Sequence, residues 1–176
     1  MSYSEELFEL EQLRRLKAAY FRLIDTKRWS LWSDLLTEDC VMSFGSGTHG
    51  TLRGRDAIVE SVSMKLADAV SVHRGFLPEI DIRDGGTATA IWAMTSDLIF
   101  TTPTGTVGQT GSGHYFDEYR RSSDGRWRIA GTRLTKILRV ISDPNAAASL
   151  APGDDGVVIR ADLFGAGPHG GSTRTP

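Results

Sequence analysis

Thiols are almost absent: Cys40 is the single cysteine. No intrachain disulfide and no thiol-built metal centre can therefore form, and a reducing, cytoplasmic setting is expected. Nowhere do about 18 consecutive apolar residues occur, so no membrane-spanning helix is expected. The opening Met-Ser-Tyr-Ser-Glu-Glu is acidic where a signal peptide would be basic, and export by that route is not expected. Basic surplus is missing too. Twenty Lys and Arg against 22 Asp and Glu leave a formal charge of −2, and the arginines of the C-terminal strands alternate with apolar residues, which argues against nucleic acid as a partner. The four histidines lack ligand-like spacing, so no metal is expected. The glycines from Gly108 to Gly113 lie between strand-like stretches rather than before a helix, which argues against a phosphate-cradling loop, and Ser112 has no nucleophile-elbow context. No cofactor is expected.

What is present suits one globular domain. A chain of 176 residues that is 40% hydrophobic and 24% charged can bury a real core. Three helices are expected first. One runs from about Ser4 to Thr26, with Glu5 and Glu6 at the positive end of its dipole. A short one covers roughly Trp29 to Leu36 and ends in Thr37-Glu38-Asp39. The third is capped by Asp56 and lasts to about Ala69, with Ile58, Val59, Val62, Leu66 and Val70 as its apolar face. Between them Cys40 to Phe44 reads as a strand, and Gly45 to Gly50 as a loop.

From His73 onward, helical spacing gives way to alternation. Phe76 to Ile82, Thr87 to Phe100, Thr106 to Arg121 and Trp127 to Ile141 form four strand-like runs, separated by the turn signals Asp84-Gly85-Gly86, Pro103-Thr104-Gly105 and Asp124-Gly125. The expectation is an α+β, cone-shaped barrel: a long curved antiparallel sheet wrapped around three N-terminal helices and enclosing a cavity. The cone domain would span 1–142. Residues 143–176, rich in Gly, Pro and Ala, form an extension expected to be partly disordered. Its apolar pieces Val157-Val158-Ile159 and Leu163-Phe164 are expected to cover the cavity mouth or a subunit interface.

The first helix carries the chemical lead. Leu10, Leu13, Tyr20, Phe21 and Ile24 recur at three- and four-residue intervals on one buried stripe. Tyr20 and Asp25 lie about 140° apart round the helix axis and can flank one space beneath its end. A carboxylate there needs a partner, and His73 is the candidate.

These landmarks resemble the SnoaL-like branch of the nuclear transport factor 2-like, or cystatin-like, superfamily. The residues that carry the resemblance are the Tyr20 to Asp25 helix end, Trp32 to Val41, Gly54 to Ile58, His73, Gly113-His114-Tyr115 and Gly125 to Ile129. Within that superfamily, Asp25 and His73 look like the Asp/His dyad of bile-acid 7α-dehydratase, scytalone dehydratase and hexachlorocyclohexane dehydrochlorinase, and Tyr20 falls where the bile-acid enzyme has a tyrosine. The resemblance implies a lyase without metal or organic cofactor, typically a trimer. It also implies a departure: Ser96 stands where the bile-acid enzymes have an additional aspartate, and Asp97 should point to the opposite sheet face.

A histidine whose free side chain titrates near pH 6.5 suits proton transfer at neutral pH, contributing roughly 10²- to 10⁴-fold when positioned. Asp25 would fix its tautomer, and Tyr20 would donate to an oxygen where charge develops. The competing reading makes Asp25 a helix cap, Tyr20 a core aromatic and His73 a structural strand residue. His114 and Phe116 share one face of their strand while Tyr115, Asp117 and Tyr119 share the other, and alternation leaves open which looks inward. His114, Phe116, Phe44, Trp92, Met94 and Ser96 are the expected substrate-binding residues. The expected function is a lyase or isomerase acting on a small hydrophobic molecule, steroid-like, terpenoid or polycyclic aromatic. The alternative is a non-catalytic hydrophobic-ligand or protein-interaction domain. A homotrimer or homodimer is expected in either case.

Overall fold

The computed structural model describes residues 1–45, 50–83, 85–103, 105–142 and 149–152. Helix α1 (Tyr3–Asp25) starts at a capping box in which Ser2 Oγ accepts from the Glu5 main-chain N–H while the Glu5 carboxylate accepts from the Ser2 N–H. Leu13, Tyr20, Phe21 and Ile24 are buried along it, as the stripe predicts, and so is Leu16; Leu10 is only half-buried. Helix α2 (Trp29–Ser33) stops short of the expected Leu36, because Leu36 opens strand β1 (Leu36–Phe44), and Thr37-Glu38-Asp39 belongs to that strand. The physical reason is remote: Leu36 pairs with Ile129, a contact no local pattern announces.

After β2 (Thr51–Arg53), helix α3 (Arg55–Leu66) is capped by Gly54 rather than by Asp56, which sits in its first turn where the dipole favours an acid. It ends before Ala69, and Val70 begins β3 (Val70–Arg83) instead of completing the helix face. That strand therefore starts six residues before the expected Phe76. Its opening half places Ser71, His73 and Gly75 inward and Val70, Val72 and Phe76 outward, an inversion of the usual apolar-in alternation that hides the strand from sequence. Strands β4 (Thr87–Thr102), β5 (Gly105–Arg121) and β6 (Trp127–Ser142) follow the expected runs closely.

The sheet is ordered β2-β1-β6-β5-β4-β3, and β7 (Ser149–Pro152) pairs with β6. Strand β1 runs parallel to β6 at Ile129–Leu134, and β7 runs antiparallel to it at Leu138–Ile141, so one edge of β6 serves two partners in succession. The sheet is thus mixed rather than wholly antiparallel, and it curves round the helices without closing. Strand β7 is the described part of the 143–176 extension. Val157 to Ile159, Leu163-Phe164, the tail beyond them and most of the Gly45 to Gly50 loop lie outside the described residues.

A single core joins helices and concave sheet face through Leu13, Trp32, Leu36, Met42, Ile58 and Ile129. Each such side chain contributes about 1.5–3 kcal/mol on burial. Two glycines set the shape. At Gly75 a Cβ would lie 2.6 Å from the Phe21 ring, so glycine is what lets α1 rest on β3. At Gly113 a Cβ would lie 2.0 Å from the Thr135 carbonyl oxygen, and here the ladder shifts register, with Gly113 opposite Lys136 and Ser112 opposite Leu138. The extra residue, Ile137, is a β-bulge that bends β6.

Candidate active site

Helix α1 ends in a Schellman motif: Arg28 N–H donates to the Leu23 carbonyl and Lys27 N–H to that of Ile24, with Lys27 at φ 58°. This motif fixes the last helical residue, Asp25, beside β3, the strand that ends the sheet. The negative end of a helix is a poor place for a carboxylate. Three donors offset that cost. His73 N–H donates to Asp25 Oδ2 at 2.7 Å, His73 Nδ1 meets Oδ1 at 2.6 Å, and Ser71 Oγ donates to Oδ1 at 3.0 Å. Lys27 Nζ donates in turn to Ser71 Oγ at 2.7 Å. Burial works to raise the Asp25 carboxyl, but the bonds from the His73 ring, the His73 main chain and Ser71 outweigh it and hold the group below the ordinary carboxylate value. An ionised Asp25 can only accept, so Nδ1 carries the proton and Nε2 is left for other partners. Asp25 does not cap α2, whose N-cap residue is Arg28 and whose start carries no side-chain capping bond.

His73 lines a cavity of about 640 Å³ between the helices and the concave sheet face. Tyr20 and Tyr115 form its inner wall with Ile24 and Leu134, while Phe44, Leu52, Leu98 and Phe100 supply apolar surface further out. Ser96 lines it beside His73, its pairing partner on β4. Asp97 points to the other face, where Arg74 and Thr110 hold it at 2.7 and 2.8 Å. Behind the tyrosines lies a group that no local sequence pattern announces. Lys17 is fully buried, pairs with Asp117 at 2.7 Å, and sits 4.0 Å from the Tyr115 ring centre and 4.5 Å from that of Tyr20. Asp117 also accepts from Tyr119 at 2.7 Å and from Thr132. Burial, with neighbouring tyrosines and carboxylates, raises the Tyr20 phenol well above its ordinary value, and burial does the same to Tyr115.

Of the expected substrate-binding residues, Phe44 and Ser96 line the cavity. Trp92 and Met94 face inward but are buried in the core, the Trp92 indole donating to Tyr119 Oη at 3.0 Å. His114 and Phe116 are on the wrong side. Residues Tyr115, Asp117 and Tyr119 take the buried face of β5, so His114 and Phe116 stand on the convex face, with the Arg133 guanidinium 3.9 Å from the Phe116 ring centre. The buried Lys17–Asp117 pair decides that parity, since Asp117 must face the helix. Missing from the expectation altogether are Tyr115, Lys65, Lys136 and Arg139, all of which line the cavity. Tyr115 was legible as Tyr20's opposite number once a face was chosen. Arg139 was not: strict alternation from Lys136 would bring Leu138 inward, and the bulge at Ile137 delivers Arg139 instead.

Solved structures with the same architecture include a single-residue variant of a protein of unknown function from Mycobacterium tuberculosis. It is 28% identical, covers 77% of this chain and 76% of its own, and has a TM-score of 0.63. A scytalone dehydratase candidate from Novosphingobium aromaticivorans is 19% identical over 84% of this chain and 95% of its own, with a TM-score of 0.70. A type 2 hexachlorocyclohexane dehydrochlorinase is 14% identical over 84% and 98%, also at 0.70. At these last two identities the likeness is one of fold, the α+β arrangement of nuclear transport factor 2-like proteins. The sequence profile of the SnoaL-like domain matches residues 5–133, from the first turn of α1 into β6, and the chain belongs to that family.

Proposed function

We propose that the protein is a cofactor-independent lyase or isomerase in which His73, oriented by Asp25, removes a proton from carbon in a small, largely apolar molecule. The observation that carries this reading is the 2.6 Å bond between Asp25 and His73 Nδ1, with His73 itself on the cavity wall. Nε2 takes the proton, and Asp25 stabilises the imidazolium that forms. In elimination the C–H pair becomes the new double bond as the leaving group departs: a hydroxyl takes the proton from the His73 imidazolium and leaves as water, whereas a halide leaves as the anion and the imidazolium gives its proton to solvent. In isomerisation the same nitrogen returns the proton to another carbon. Tyr20 and Tyr115, kept protonated by burial, donate to the oxygen on which charge develops. The folds shared with a dehydratase candidate and a dehydrochlorinase agree with this chemistry.

The test is a panel of hydroxylated and halogenated cyclic ketones and aromatics incubated in D₂O, with proton loss followed by NMR. Turnover by the wild type that falls on the order of 10²- to 10⁴-fold in His73→Ala is the expected result. Turnover indifferent to His73→Ala would overturn the assignment. Ligand binding without turnover anywhere in the panel would favour the non-catalytic binder.

We infer also that copies of the chain associate as a dimer or trimer. Val72, Phe76 and Ile99 stand 39–45% exposed on the convex face of the sheet, an apolar surface that association would cover. Sedimentation of a single 19.2 kDa species would refute this.

A further inference from the structure

Asp25 Oδ1 is shared. It meets His73 Nδ1 at 2.6 Å and accepts from Ser71 Oγ at 3.0 Å, and Ser71 Oγ accepts in turn from Lys27 Nζ at 2.7 Å. An ammonium can only donate, so the hydroxyl turns a lone pair to Lys27 and its one proton to Asp25. The chain of bonds therefore has a fixed polarity, from Lys27 through Ser71 to the oxygen that holds the imidazole. Ser71 is buried, on the same face of β3 as His73. Lys27 is half-buried; burial pulls its ammonium below the ordinary lysine value, and the Asp25 charge opposes that pull.

Lys27 holds this place against its backbone. It is the first residue beyond the cap of α1, with φ at 58°, a left-handed conformation that glycine adopts freely and lysine does not. A glycine would close the helix as well and without strain, but it would lack the side chain that reaches back to Ser71. Strain kept at the edge of a site points to a use for the side chain that causes it. Trp29 offers Lys27 only a ring 5.8 Å from its ammonium, at the outer limit of cation–π attraction. Neither Lys27 nor Ser71 is among the described residues that line the cavity, so the use is not contact with a ligand.

His73 has to act twice. The ring takes a proton and then gives it up, to a departing hydroxyl or to another carbon, and both steps are fast only where its two forms lie near balance. An ionised carboxylate bonded to Nδ1 tips the ring toward imidazolium. A cation bonded through a hydroxyl to the same oxygen draws charge from it and tips the ring back. We infer that Lys27 and Ser71 are positioning residues for His73: acting through Asp25, they weaken its hold on the imidazolium and keep the ring able both to take and to return a proton. The inference rests on the reading of His73 as base, although the effect on the ring exists without turnover. The other charged and titratable groups on the cavity that His73 faces are Tyr20 on α1, Lys65 on α3, Tyr115 on β5, and Lys136 and Arg139 on β6. Arg74 and Asp97 pair with each other on the opposite sheet face. Substitution of Lys27 leaves all of them in place.

The experiment follows the His73 ring by NMR through a pH titration of the full chain, its signal assigned with His73→Ala. Loss of the cation in Lys27→Met and in Lys27→Gly should raise the midpoint of that titration by on the order of half a pH unit. Lys27→Arg keeps the charge and should hold the midpoint near that of the wild type. Lys27→Gly also relieves the strained φ and should melt at or above the wild-type temperature, which separates its shift from a loosened fold. In a Ser71→Ala background the effect of Lys27→Met should shrink by about half or more, since the route to Asp25 is cut. On a substrate that the wild type turns over, the acid limb of the rate profile should move up with the midpoint. The rate near pH 6 then falls about threefold, while KM and the alkaline plateau stay within about twofold. A midpoint unmoved or lowered in either charge-free variant would overturn the inference, and so would an undiminished effect in the Ser71→Ala background. A Lys27→Gly variant that melts lower and loses rate evenly at every pH would make Lys27 a purely structural residue. A wild type without turnover ends the reading of His73 as base, and the midpoints still decide this one.

Discussion

Asp25 accepts hydrogen bonds from both the ring and the main chain of His73, one on each carboxylate oxygen. The two-point attachment locks the imidazole to the end of α1 and closes off part of the free edge of β3. An asparagine can imitate only one of these bonds. Its amide would present a donor either to the His73 N–H or to Nδ1, leaving a half-buried clash or the wrong tautomer. Asp25→Asn should therefore lower the rate of any His73-dependent reaction on the order of 10²- to 10⁴-fold and destabilise the fold by about 1–3 kcal/mol. Urea unfolding and initial rates on one preparation check both.

The pH dependence follows from the same contact. The Asp25 carboxyl is held below its ordinary value in the folded chain, so its contribution to stability is present above the unfolded carboxylate range and is lost as pH falls through the lower folded value. The wild type should lose more stability than Asp25→Asn across the acid limb below about pH 4. Chemical denaturation at a series of pH values would show the two curves converging as acid is added, and parallel curves would contradict the assignment.

The Lys17–Asp117 pair is the support behind the cavity tyrosines, and neither side chain meets solvent. Lys17→Met leaves Asp117 buried without its cation and should cost about 3–5 kcal/mol. A second substitution, Asp117→Leu, should restore only part of that, because Tyr119 and Thr132 both donate to Asp117 and would lose their acceptor. A double-mutant cycle in urea measures the coupling. Full recovery in the double variant would mean that the hydroxyls find other partners.

The dyad was legible because a carboxylate closing an apolar helix stripe demands a partner, and the fold because long alternating runs broken by turn residues leave few other arrangements. What stayed hidden was non-local. A lysine in the helix stripe reads as solvent-facing until Asp117 is known to lie across from it, and that same contact settles which face of β5 is buried. The parallel pairing of Leu36 with Ile129 joins segments far apart in the chain. Arg139 reaches the cavity through a one-residue bulge, and a single added residue turns every later side chain to the other face.

Cys40 is fully buried in β1, and burial, with Asp39 and Asp117 nearby, raises its thiol to about 12. Only the thiolate reacts with disulfide reagents. Native protein at pH 8 should therefore consume no Ellman's reagent on the time scale of mixing, and labelling should accelerate with urea in step with unfolding. Rapid labelling without denaturant would mean that β1 opens locally, and with it the wall of the cavity.

Gly75 and Phe21 test whether the helix position matters to the chemistry. A methyl group at residue 75 would come within 2.6 Å of Phe21 Cε2 and 2.7 Å of Cζ, too close for either to stay. Relief by displacing α1 would move Asp25, four residues on from Phe21, away from His73 on the same strand as Gly75. Gly75→Ala should thus cost about 1–3 kcal/mol in stability and reduce dyad-dependent activity as well. Adding Phe21→Leu makes room for the methyl without touching the dyad, so the double variant should regain activity even where the smaller side chain leaves stability below wild type. If activity returns with stability still low, the rate follows the seating of α1 on β3; if both stay low together, Gly75 serves the fold alone.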